Sequence, residues 1–413
     1  MSRHHLRVTL EQRPDRRTEI LDAALRVVLR DGIDGIRSQA VATEAGVSVA
    51  LPHYYYPTLD DLTQALWERV EETERTRKQV TLAGDGVPLE RLLAFVRSAF
   101  EGSPEVVHER WMLRTEFQRR ALFDPALATQ VRAAERRRLD GLEAVVVDAQ
   151  AAGEVPAEAN PVLIAGRIAG ALDGFGVMLL VDLVTPAEAS AALEALVAGH
   201  RGWQRPRALA IPTIDPPPAE DAADRRTVIL DAAIRLIARE GIAGLHFPEV
   251  ADEAGVSRSL PRYYYPTIAD LLRATFERDE DIARRRVEWR AGRIDDELGR
   301  LRDAYAHAIA ADPEGVRPTW VLWFEYLRIA ARDPAERRRA NARLAGWIAY
   351  DSGILRALKR AGRISATIDI DAAEQRLLAV DNGAGALWML GVLTPERYAE
   401  VLDATIDDEL GIA

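Results

Sequence analysis

The sequence has no cysteine, and Lys78 and Lys359 are its only lysines. Without cysteine the protein has no disulfide, thiolate nucleophile, iron–sulfur cluster or cysteine-ligated zinc. Residues 1–17 are basic but lack the apolar core of a signal peptide, and no run approaches the roughly 18 apolar residues that a membrane helix needs. We therefore expect a soluble, cytoplasmic protein.

Enzymatic and metal-binding motifs are also missing. The sequence contains no G-x-S-x-G, no H-E-x-x-H and no phosphate-binding glycine loop, and its seven histidines do not show metal-ligand spacing. The net charge of −11 excludes a uniformly basic nucleic-acid binder, so any contact with nucleic acid has to come from locally placed groups. The sequence thus predicts no enzyme, no metal site and no cofactor.

The sequence does contain a long internal repeat. Residues 15–62 return as residues 224–271 at an offset of 209, with about 30 of 48 positions identical. The same offset pairs Trp111 with Trp320 much later in the chain, which indicates that a whole unit is duplicated. Between the copies, residues 201–222 are rich in proline, and this predicts a semi-rigid linker.

Hydrophobic periodicity predicts an all-α protein. Apolar residues recur at helical spacing from Arg16 to Arg30, two short helices flank a turn at Gly46, and a long helix begins at Thr58. Two short helices joined by such a glycine turn form a helix-turn-helix. Helical spacing continues in residues 88–101, 105–123, 125–152, 161–183 and 186–199.

These patterns predict two tandem units, each with a three-helix head and a helical-bundle domain. In chain order we expect a helix-turn-helix head (1–57), a regulatory and dimerisation domain (58–200), the linker (201–222), a second head (223–266) and a second regulatory domain (267–413). No alternating β-branched run is long enough to add a sheet.

The repeated segment resembles a known family. The pattern I-L-D-A-A, then V-A-x-E-A-G-V-S, then Y-Y-Y-P-T occurs at residues 20–62 and again at 229–271. It resembles the TetR-type one-component transcriptional regulators. The resemblance implies a head that binds double-stranded DNA, a ligand pocket among the middle helices and dimerisation through the last two helices. Two fused copies then imply an intramolecular pseudo-dimer.

The resemblance further implies a ligand-responsive repressor that reads an imperfect palindrome, because the two heads differ. Val49 and Ala50 offer only apolar contacts, whereas Arg258 and Arg262 can donate hydrogen bonds to guanine or phosphate. We expect the second half-site to be bound more strongly. The predicted DNA contacts are Arg37, Ser48, Val49, Ala50, His53, Tyr54, Tyr55 and Thr58 in the first head, and Ser257, Arg258, Ser259, Arg262, Tyr263, Tyr264 and Thr267 in the second.

Three departures from the family pattern leave an alternative open. Pro52 and Pro261 imply that each recognition helix either starts later than expected or is distorted. Leu59 and Ile268 stand where family members usually place a phosphate-binding lysine, and neither head is net basic. The alternative is a ligand-binding sensor or scaffold of the same fold, in which one or both heads are degenerate.

Aromatic residues point to a ligand site in the second copy. They recur at helical spacing on two consecutive middle helices, together with one carboxylate, and such a stripe is either ordinary core or the wall of a pocket. The pocket interpretation predicts a small hydrophobic or aromatic effector. The candidate ligand residues are Trp320, Trp323, Phe324, Trp347, Tyr350, Asp351 and Trp388.

Glycine is frequent in the next-to-last predicted helix of each copy. Gly174 and Gly383 occupy equivalent positions there, and glycine at such density predicts a close approach of helices where the two copies meet. Asp173 and Asn382 are also equivalent. We expect them to form a polar pair at the pseudo-two-fold axis.

Overall fold

The computed structural model describes residues 15–199, 211–218 and 224–412. Within these ranges every regular element is a helix, as the periodicity predicts. The chain divides into two compact units, one up to Glu72 and one from Thr73 onward, and each is described by itself.

The first unit contains the first head. Its helices are α1 (Arg16–Asp31), α2 (Ser38–Ala45), α3 (Ala50–Tyr55) and the beginning of α4 (Leu59–Leu82). The apolar stripe of α1 is fully buried at Ile20 and Val27. Gly46 ends α2 in the left-handed conformation with φ of 66°, which glycine adopts without steric cost, and this turn directs the chain into α3.

The second unit contains the remaining helices of the first copy and all described helices of the second. The first copy continues with α5 (Pro88–Ser98), α6 (Pro104–Ala121), α7 (Pro125–Ala151), α8 (Pro161–Leu180) and α9 (Pro186–Ala198). The second head has α10 (Arg225–Glu240), α11 (Phe247–Ala254), α12 (Leu260–Tyr264) and α13 (Ile268–Ala291). The second bundle has α14 (Glu297–Arg302), α15 (Ala308–Ala311), α16 (Pro313–Ala330), α17 (Pro334–Arg360), α18 (Ile370–Met389) and α19 (Pro395–Leu410), with a π-helical turn, Asp303–His307, between α14 and α15.

The offset of the sequence repeat persists in the helix boundaries. Helices α1, α6, α7 and α8 correspond to α10, α16, α17 and α18, each shifted by the same 209 residues at both ends. Local chemistry explains this agreement, since both copies keep the same start signals. Asp124 and Asp333 cap α7 and α17, and each is followed by a proline that suits the first helical turn.

The linker between the copies falls largely outside the described residues. Its described part, residues 211–218, has no regular secondary structure. The carbonyl of Asp215 accepts a hydrogen bond of 2.9 Å from the indole N–H of Trp289 in α13. This segment is thereby attached to the second copy.

Both recognition helices start later than the serines that the sequence suggests as caps. Helix α3 begins at Ala50 and α12 at Leu260, rather than directly after Ser48 and Ser257. The late start places each proline in the first helical turn, where its missing N–H removes no helical hydrogen bond.

The two copies meet where α8 crosses α18. A Cβ atom built on Gly174 would lie 1.8 Å from the carbonyl oxygen of Ala379, and one built on Gly383 would lie 1.9 Å from that of Gly170. Only hydrogen fits at such distances, so the glycines allow direct backbone contact. The predicted close approach of the copies is confirmed.

Contacts around this crossing are reciprocal. Arg132 Nε donates to the Leu390 carbonyl at 2.7 Å, and the counterpart Asn341 donates through Nδ2 to the carbonyl of Val181, the counterpart of Leu390, at 3.1 Å. Equivalent residues exchanging equivalent contacts are the signature of an isologous interface. Here the interface lies within one chain.

Helix α8 is more apolar than expected from the sequence. Its best window has a mean hydropathy of 1.6, which by length and composition alone would allow it to cross a membrane. The expectation that no run is apolar enough is therefore wrong for this helix. However, 94% of that window is buried inside the protein, because α8 packs against neighbouring helices of both copies.

Asp173 and Asn382 do not pair with each other, contrary to the expectation. Asp173 accepts hydrogen bonds from Arg114 and Arg138 of its own copy, at 2.9 and 2.7 Å. Asn382 accepts one from the indole N–H of Trp323, at 3.0 Å. Each residue lies in the interior of its own bundle, because the glycines occupy the crossing itself.

A buried carboxylate in the second bundle contacts both the first copy and the second head. Glu325 of α16 has no exposed surface, and it accepts a hydrogen bond of 2.6 Å from Arg119 Nη1 of the first copy. Its other oxygen accepts one of 3.0 Å from the backbone N–H of Ile242, which follows α10 in the second head. Breaking a buried pair of this kind is costly, so the link resists separation of the second head from the bundles.

The glycine crossing generates a stability prediction. Gly174→Ala or Gly383→Ala forces a methyl group against the opposing backbone, and we expect each to lower the free energy of unfolding by about 1–3 kcal/mol or more. The matched control is Gly353→Ala in α17, where an added Cβ meets nothing within 4 Å. This control should gain about 1 kcal/mol from helix propensity. Urea unfolding followed by circular dichroism measures the free energy of unfolding of all three variants. Equal changes in the three would contradict the role of Gly174 and Gly383 in the close helix crossing.

Candidate functional site

The predicted DNA-contacting residues lie mostly on exposed surface in each head. Tyr54 and Tyr263 are 79% and 78% exposed, although tyrosine rings are usually at least half-buried. Tyr55 and Tyr264 are half-buried beneath them and make edge-to-face ring contacts with them. The other exposed members of the set are Arg37, Ser48, Val49, Ala50, His53, Thr58, Ser257, Arg258, Ser259, Arg262 and Thr267.

Thr58, Thr267 and Arg37 already form local hydrogen bonds. The hydroxyls of Thr58 and Thr267 cap α4 and α13 by accepting hydrogen bonds from the backbone N–H groups of Asp61 and Asp270. Arg37 donates to nearby backbone carbonyls at 2.7 Å. These residues therefore stabilise the heads locally, whatever else they contact.

The second head presents the stronger hydrogen-bond donors. Arg258 is 3.4 Å from Asp252 in an exposed ion pair, a weak contact that water screens. Arg262 lies over the ring of Phe247 at 5.2 Å, which leaves its guanidinium N–H groups available at the edge. The corresponding surface of the first head carries Val49 and His53 instead.

A cavity of about 190 Å³ lies inside the second bundle. Its wall is built by α13, the π-helical turn, α15, α16, α17, α18 and α19. Four candidate ligand residues line it: Trp320, Trp323, Trp347 and Asp351. The cavity is mainly apolar and aromatic with a few polar groups, which is typical of a small-molecule site.

The other three candidate ligand residues do not line this cavity. Phe324 is buried next to Trp320, with ring centroids 6.4 Å apart, and Trp388 packs edge-on against Trp320 with ring centroids 6.3 Å apart. Tyr350 makes an edge-to-face contact with Trp347 at 6.4 Å. They support the wall from behind, because the aromatic stripe is wider than the cavity it surrounds.

Three carboxyl groups lie at or behind the cavity wall: Asp351 and Asp381 line it, and Glu374 binds the lining residue Tyr305. Asp351 is 5% exposed, and its Oδ1 has no hydrogen-bond partner among the described residues. Tyr305 donates to Glu374 Oε1 at 2.6 Å, and Tyr398 donates to Asp381. Burial raises the pKa of Asp351 and of Asp381 to about 7 and that of Glu374 well above its usual range.

The equivalent region of the first copy contains a buried cluster of ion pairs. Trp323 and Trp347 correspond to Arg114 and Arg138, which both bind Asp173. Burial alone would raise the pKa of Asp173, but the two guanidinium groups outweigh it and hold the pKa at about 2. A matched cluster of ions therefore takes the place of the aromatic walls.

The carboxyl cluster also has no equivalent in the first copy. Asp351, Glu374 and Asp381 correspond to apolar residues, and so do the two tyrosines that face them. The counterparts are Leu142, Ala165, Leu172, Val96 and Ala189, all buried. The fold therefore accepts an apolar core at these five positions.

Sequence reasoning singled out Asp351 but missed Glu374, Asp381, Tyr305 and Tyr398. Helical periodicity could not reveal them, because a polar residue beside an apolar stripe is indistinguishable in sequence from one at the solvent-facing border of the helix. The repeat did contain a signal. Aligning the copies at the offset of 209 shows polar residues opposite apolar ones at core positions.

The buried carboxyls predict an unusual pH dependence of stability. The folded state keeps Asp351 protonated up to about pH 7, whereas the unfolded chain ionises it near pH 4, so its contribution to stability falls as the pH rises through this interval. A shift of about three pKa units amounts to roughly 4 kcal/mol at most. We expect Asp351→Asn to raise the melting temperature relative to wild type at pH 8 more than at pH 5.

The control for this comparison is Asp371→Asn, whose side chain is 84% exposed. Its melting temperature should follow that of the wild type from pH 5 to pH 8. Circular dichroism gives the melting temperatures. A difference in melting temperature between Asp351→Asn and wild type that stays constant across this pH range would refute the raised pKa of Asp351.

Comparison with known proteins finds relatives among bacterial regulators. The chain is 28% identical over 106 residues to the HTH-type transcriptional regulator PksA of Bacillus subtilis, covering 25% of this chain and 52% of that protein. It is 30% identical over 135 residues to the HTH-type transcriptional regulator BetI of Rhizobium meliloti, covering 32% and 66%. The chain thus spans about half to two thirds of the length of these curated relatives.

Among solved structures, a putative TetR-family transcriptional regulator from Rhodococcus sp. is similar at 23% identity and a TM-score of 0.39. The match covers 45% of this chain and 97% of that one.

Family models match both copies. The model of the tetR family of bacterial regulatory proteins matches residues 229–275, in the second head. The model of the C-terminal region of BetI-type transcriptional repressors matches residues 88–202 and again residues 299–411, which together exceed half of the chain. The protein therefore belongs to the TetR family of bacterial transcriptional regulators, and it carries the family's C-terminal region twice.

Proposed function

We propose that the chain is a ligand-responsive, DNA-binding repressor of the cytoplasm, in which the two fused copies act as one intramolecular pseudo-dimer. The reciprocal contacts around Gly174 and Gly383 support this arrangement, since equivalent residues of two subunits exchange equivalent contacts in a two-fold dimer. The heads then read the two halves of an imperfect palindrome.

A single effector site, in the second copy, is the core of the proposal. The observation that carries it is the contrast between the copies at equivalent positions. Aromatic rings and a carboxyl group with one partnerless oxygen line a cavity in the second copy, whereas Arg114, Arg138 and Asp173 form buried ion pairs at the equivalent positions of the first. One effector molecule per chain is the expected stoichiometry.

The geometry offers a route from the cavity to the second head. Helix α13 lines the cavity through Arg286 and Val287, and its other end directly follows α12. Helix α16 lines it through Trp320 and carries Glu325, which binds the Ile242 N–H of the second head. A ligand that prefers one position of α13 relative to α16 would therefore shift the second head and release DNA.

The second candidate function is a ligand sensor or scaffold with degenerate heads. The missing lysines at Leu59 and Ile268 favour it, and so does the excess of acidic groups in the whole chain. The two functions differ in salt dependence. A repressor binds genomic fragments around its own gene with an affinity that falls steeply with salt, whereas a sensor of this kind binds no DNA even at low salt.

The exposed arginines of the second head generate the DNA-binding prediction. After selection of an operator from random DNA, Arg258→Ala and Arg262→Ala should each weaken binding by about 1–3 kcal/mol if the side chain contacts a base edge. His53→Ala in the first head should weaken it less. Gel shifts at two salt concentrations measure these effects.

The control for the change of charge is Arg356→Ala, an exposed arginine of α17 that lies outside both heads. It should leave DNA affinity unchanged. Equal losses for His53→Ala and for the two arginine variants would refute the asymmetry of the heads.

The effector cavity is tested by filling it. Ala308 of α15 lines the cavity, and Ala308→Phe should leave DNA binding intact but abolish release by any compound that releases the wild-type chain. Ala311→Phe, on the exposed side of the same helix, is the matched control and should respond like the wild type. Normal release from the Ala308→Phe protein would show that the effector acts elsewhere.

A further inference from the structure

We propose that the interface between the two copies is selective: the first copy pairs with the second, and neither copy pairs with another of its own kind. The inference rests on the pseudo-dimer of the proposed function and specifies which partner its surface accepts. Two copies of a duplicated unit begin with identical faces, and such faces would pair in every combination. The residues around the crossing of α8 and α18 now differ between the copies in size and in charge.

The first difference is an exchange of side-chain size between the two sides of the crossing. Gly166 of α8 packs against the fully buried Val401 of α19, and a Cβ atom built on Gly166 would lie 2.8 Å from a methyl carbon of Val401. On the other side, α18 packs against α9, and the counterparts of these two residues are Gln375 and Ala192. The large residue thus belongs to the last helix on one side and to the central helix on the other.

This exchange excludes a pair of second copies. Such a pair would place Gln375 against Val401, where the structure leaves no room for even the first carbon of a side chain on Gly166. Ala379 adds to the conflict, since it is the counterpart of Gly170, and a Cβ atom at Gly170 would lie 3.1 Å from an opposing carbonyl oxygen. Two-fold symmetry would impose both conflicts twice.

The second difference is one of charge. Arg167 of α8 is buried and forms ion pairs with Asp408 and Glu409 of α19, the latter at 2.7 Å. The counterparts of these two acids, at positions 199 and 200, are glycine and histidine. Arg376, the counterpart of Arg167, instead binds Glu409 of its own copy at 2.6 Å. Between the central and last helices, the pairing of charge therefore runs from an arginine of the first copy to acids of the second.

This arrangement of charge excludes a pair of first copies. Arg167 would then face positions 199 and 200, which carry no acidic residue, and a buried guanidinium without an acid is strongly unfavourable. Gly166 would face Ala192 and leave the space of the Val401 side chain unfilled. The two like pairs thus fail for different reasons, and the mixed pair satisfies both packing and charge.

The absence of cysteine makes the pairing testable by crosslinking. A Cβ atom built on Gly166 would lie 4.0 Å from Cβ of Val401, a separation that a disulfide spans. We expect Gly166→Cys/Val401→Cys to form a disulfide within one chain, seen as a monomer of altered mobility on a non-reducing gel. The control Gln375→Cys/Val401→Cys would link two chains if second copies paired, and it should give no crosslinked dimer. A dimer in the control would overturn the selectivity.

Copying the size exchange tests its steric basis. Gly166→Gln should lower the melting temperature by roughly 5 °C or more, because the added side chain overlaps Val401. Adding Val401→Ala reproduces the pair formed by Gln375 and Ala192, and it should restore at least about half of this loss. If Gly166→Gln alone does not fold, recovery of a cooperative melt in the double variant is the readout. Losses that simply add would contradict the size exchange.

The matched control for the glutamine is Gly353→Gln in α17. This glycine is exposed, and an added Cβ meets nothing within 4 Å. Its melting temperature should stay close to that of the wild type. A loss as large as that of Gly166→Gln would show that glutamine destabilises these helices wherever it is placed.

The selectivity is measured directly after the linker is cut. A protease site inserted within residues 201–210 of the full-length chain separates the copies, and the cut protein is unfolded in urea and refolded so that every pair can form. Native mass spectrometry should find one fragment of each kind in about nine tenths or more of the pairs. Random pairing would give about half, and this result would overturn the inference.

A single substitution should relax the selectivity. Gln375→Gly removes the overlap with Val401 and keeps Arg376 beside its acids, so pairs of second copies should increase at least about threefold in the same measurement. The matched control is Gln64→Gly, an exposed residue of α4, which should give the wild-type distribution. No increase with Gln375→Gly would exclude Gln375 as the residue that prevents pairing of second copies.

The outcomes separate this inference from the proposed function. Random pairing of the cut fragments, together with a disulfide within one chain, would leave the pseudo-dimer intact and overturn its selectivity. A disulfide of Gly166→Cys/Val401→Cys that joins two chains would instead overturn the intramolecular pairing. With both results as expected, every assembled pair carries one head of each kind.

Discussion

The backbone contact between α8 and α18 is the constraint on which the rest of the second unit depends. Gly170, Gly174 and Gly383 bring the two helices closer than any side chain would allow. Because these are the central helices of the two bundles, their crossing fixes where α9 and α19 pack and brings Arg119 of one copy to Glu325 of the other. A very apolar helix can exist here without a membrane, since its surface is buried on every side.

On this shared scaffold the two copies have taken different interiors. Each keeps a tryptophan ring pressed against a helix glycine, Trp111 on Gly176 and Trp320 on Gly385, so the frame is the same. The side chains around that frame differ in how charge is matched. In the first copy every buried acid of the cluster faces arginine. In the second copy the buried carboxyl groups face tyrosine hydroxyls and the cavity.

The sequence was sufficient for most of the fold, because its signals are local and repeated. Caps such as Asp124 followed by proline define helix starts within one or two residues, and the offset of 209 establishes two copies. The recognition helices were less certain, since Pro52 and Pro261 allow either a late start or a distortion. Only the structure distinguishes the two.

The site was predictable in part, for a physical reason. An aromatic stripe shows which face of α16 and α17 is apolar. It does not show how far away the opposite wall lies, and this distance decides that Trp323 lines the cavity whereas Phe324 belongs to the core. The expected pairing of Asp173 with Asn382 failed because equivalence in sequence does not imply contact. Charge matching is likewise a property of neighbours in space, so the unpaired oxygen of Asp351 was invisible before the fold was known.

The covalent connection between the copies has a consequence for how the protein behaves on dilution. An interface between separate subunits weakens as the concentration falls, and occupancy of a two-fold target then depends on the square of the monomer concentration. The α8–α18 crossing forms within one chain, so its stability is independent of protein concentration. The interface between the copies therefore stays assembled even when the protein is very dilute.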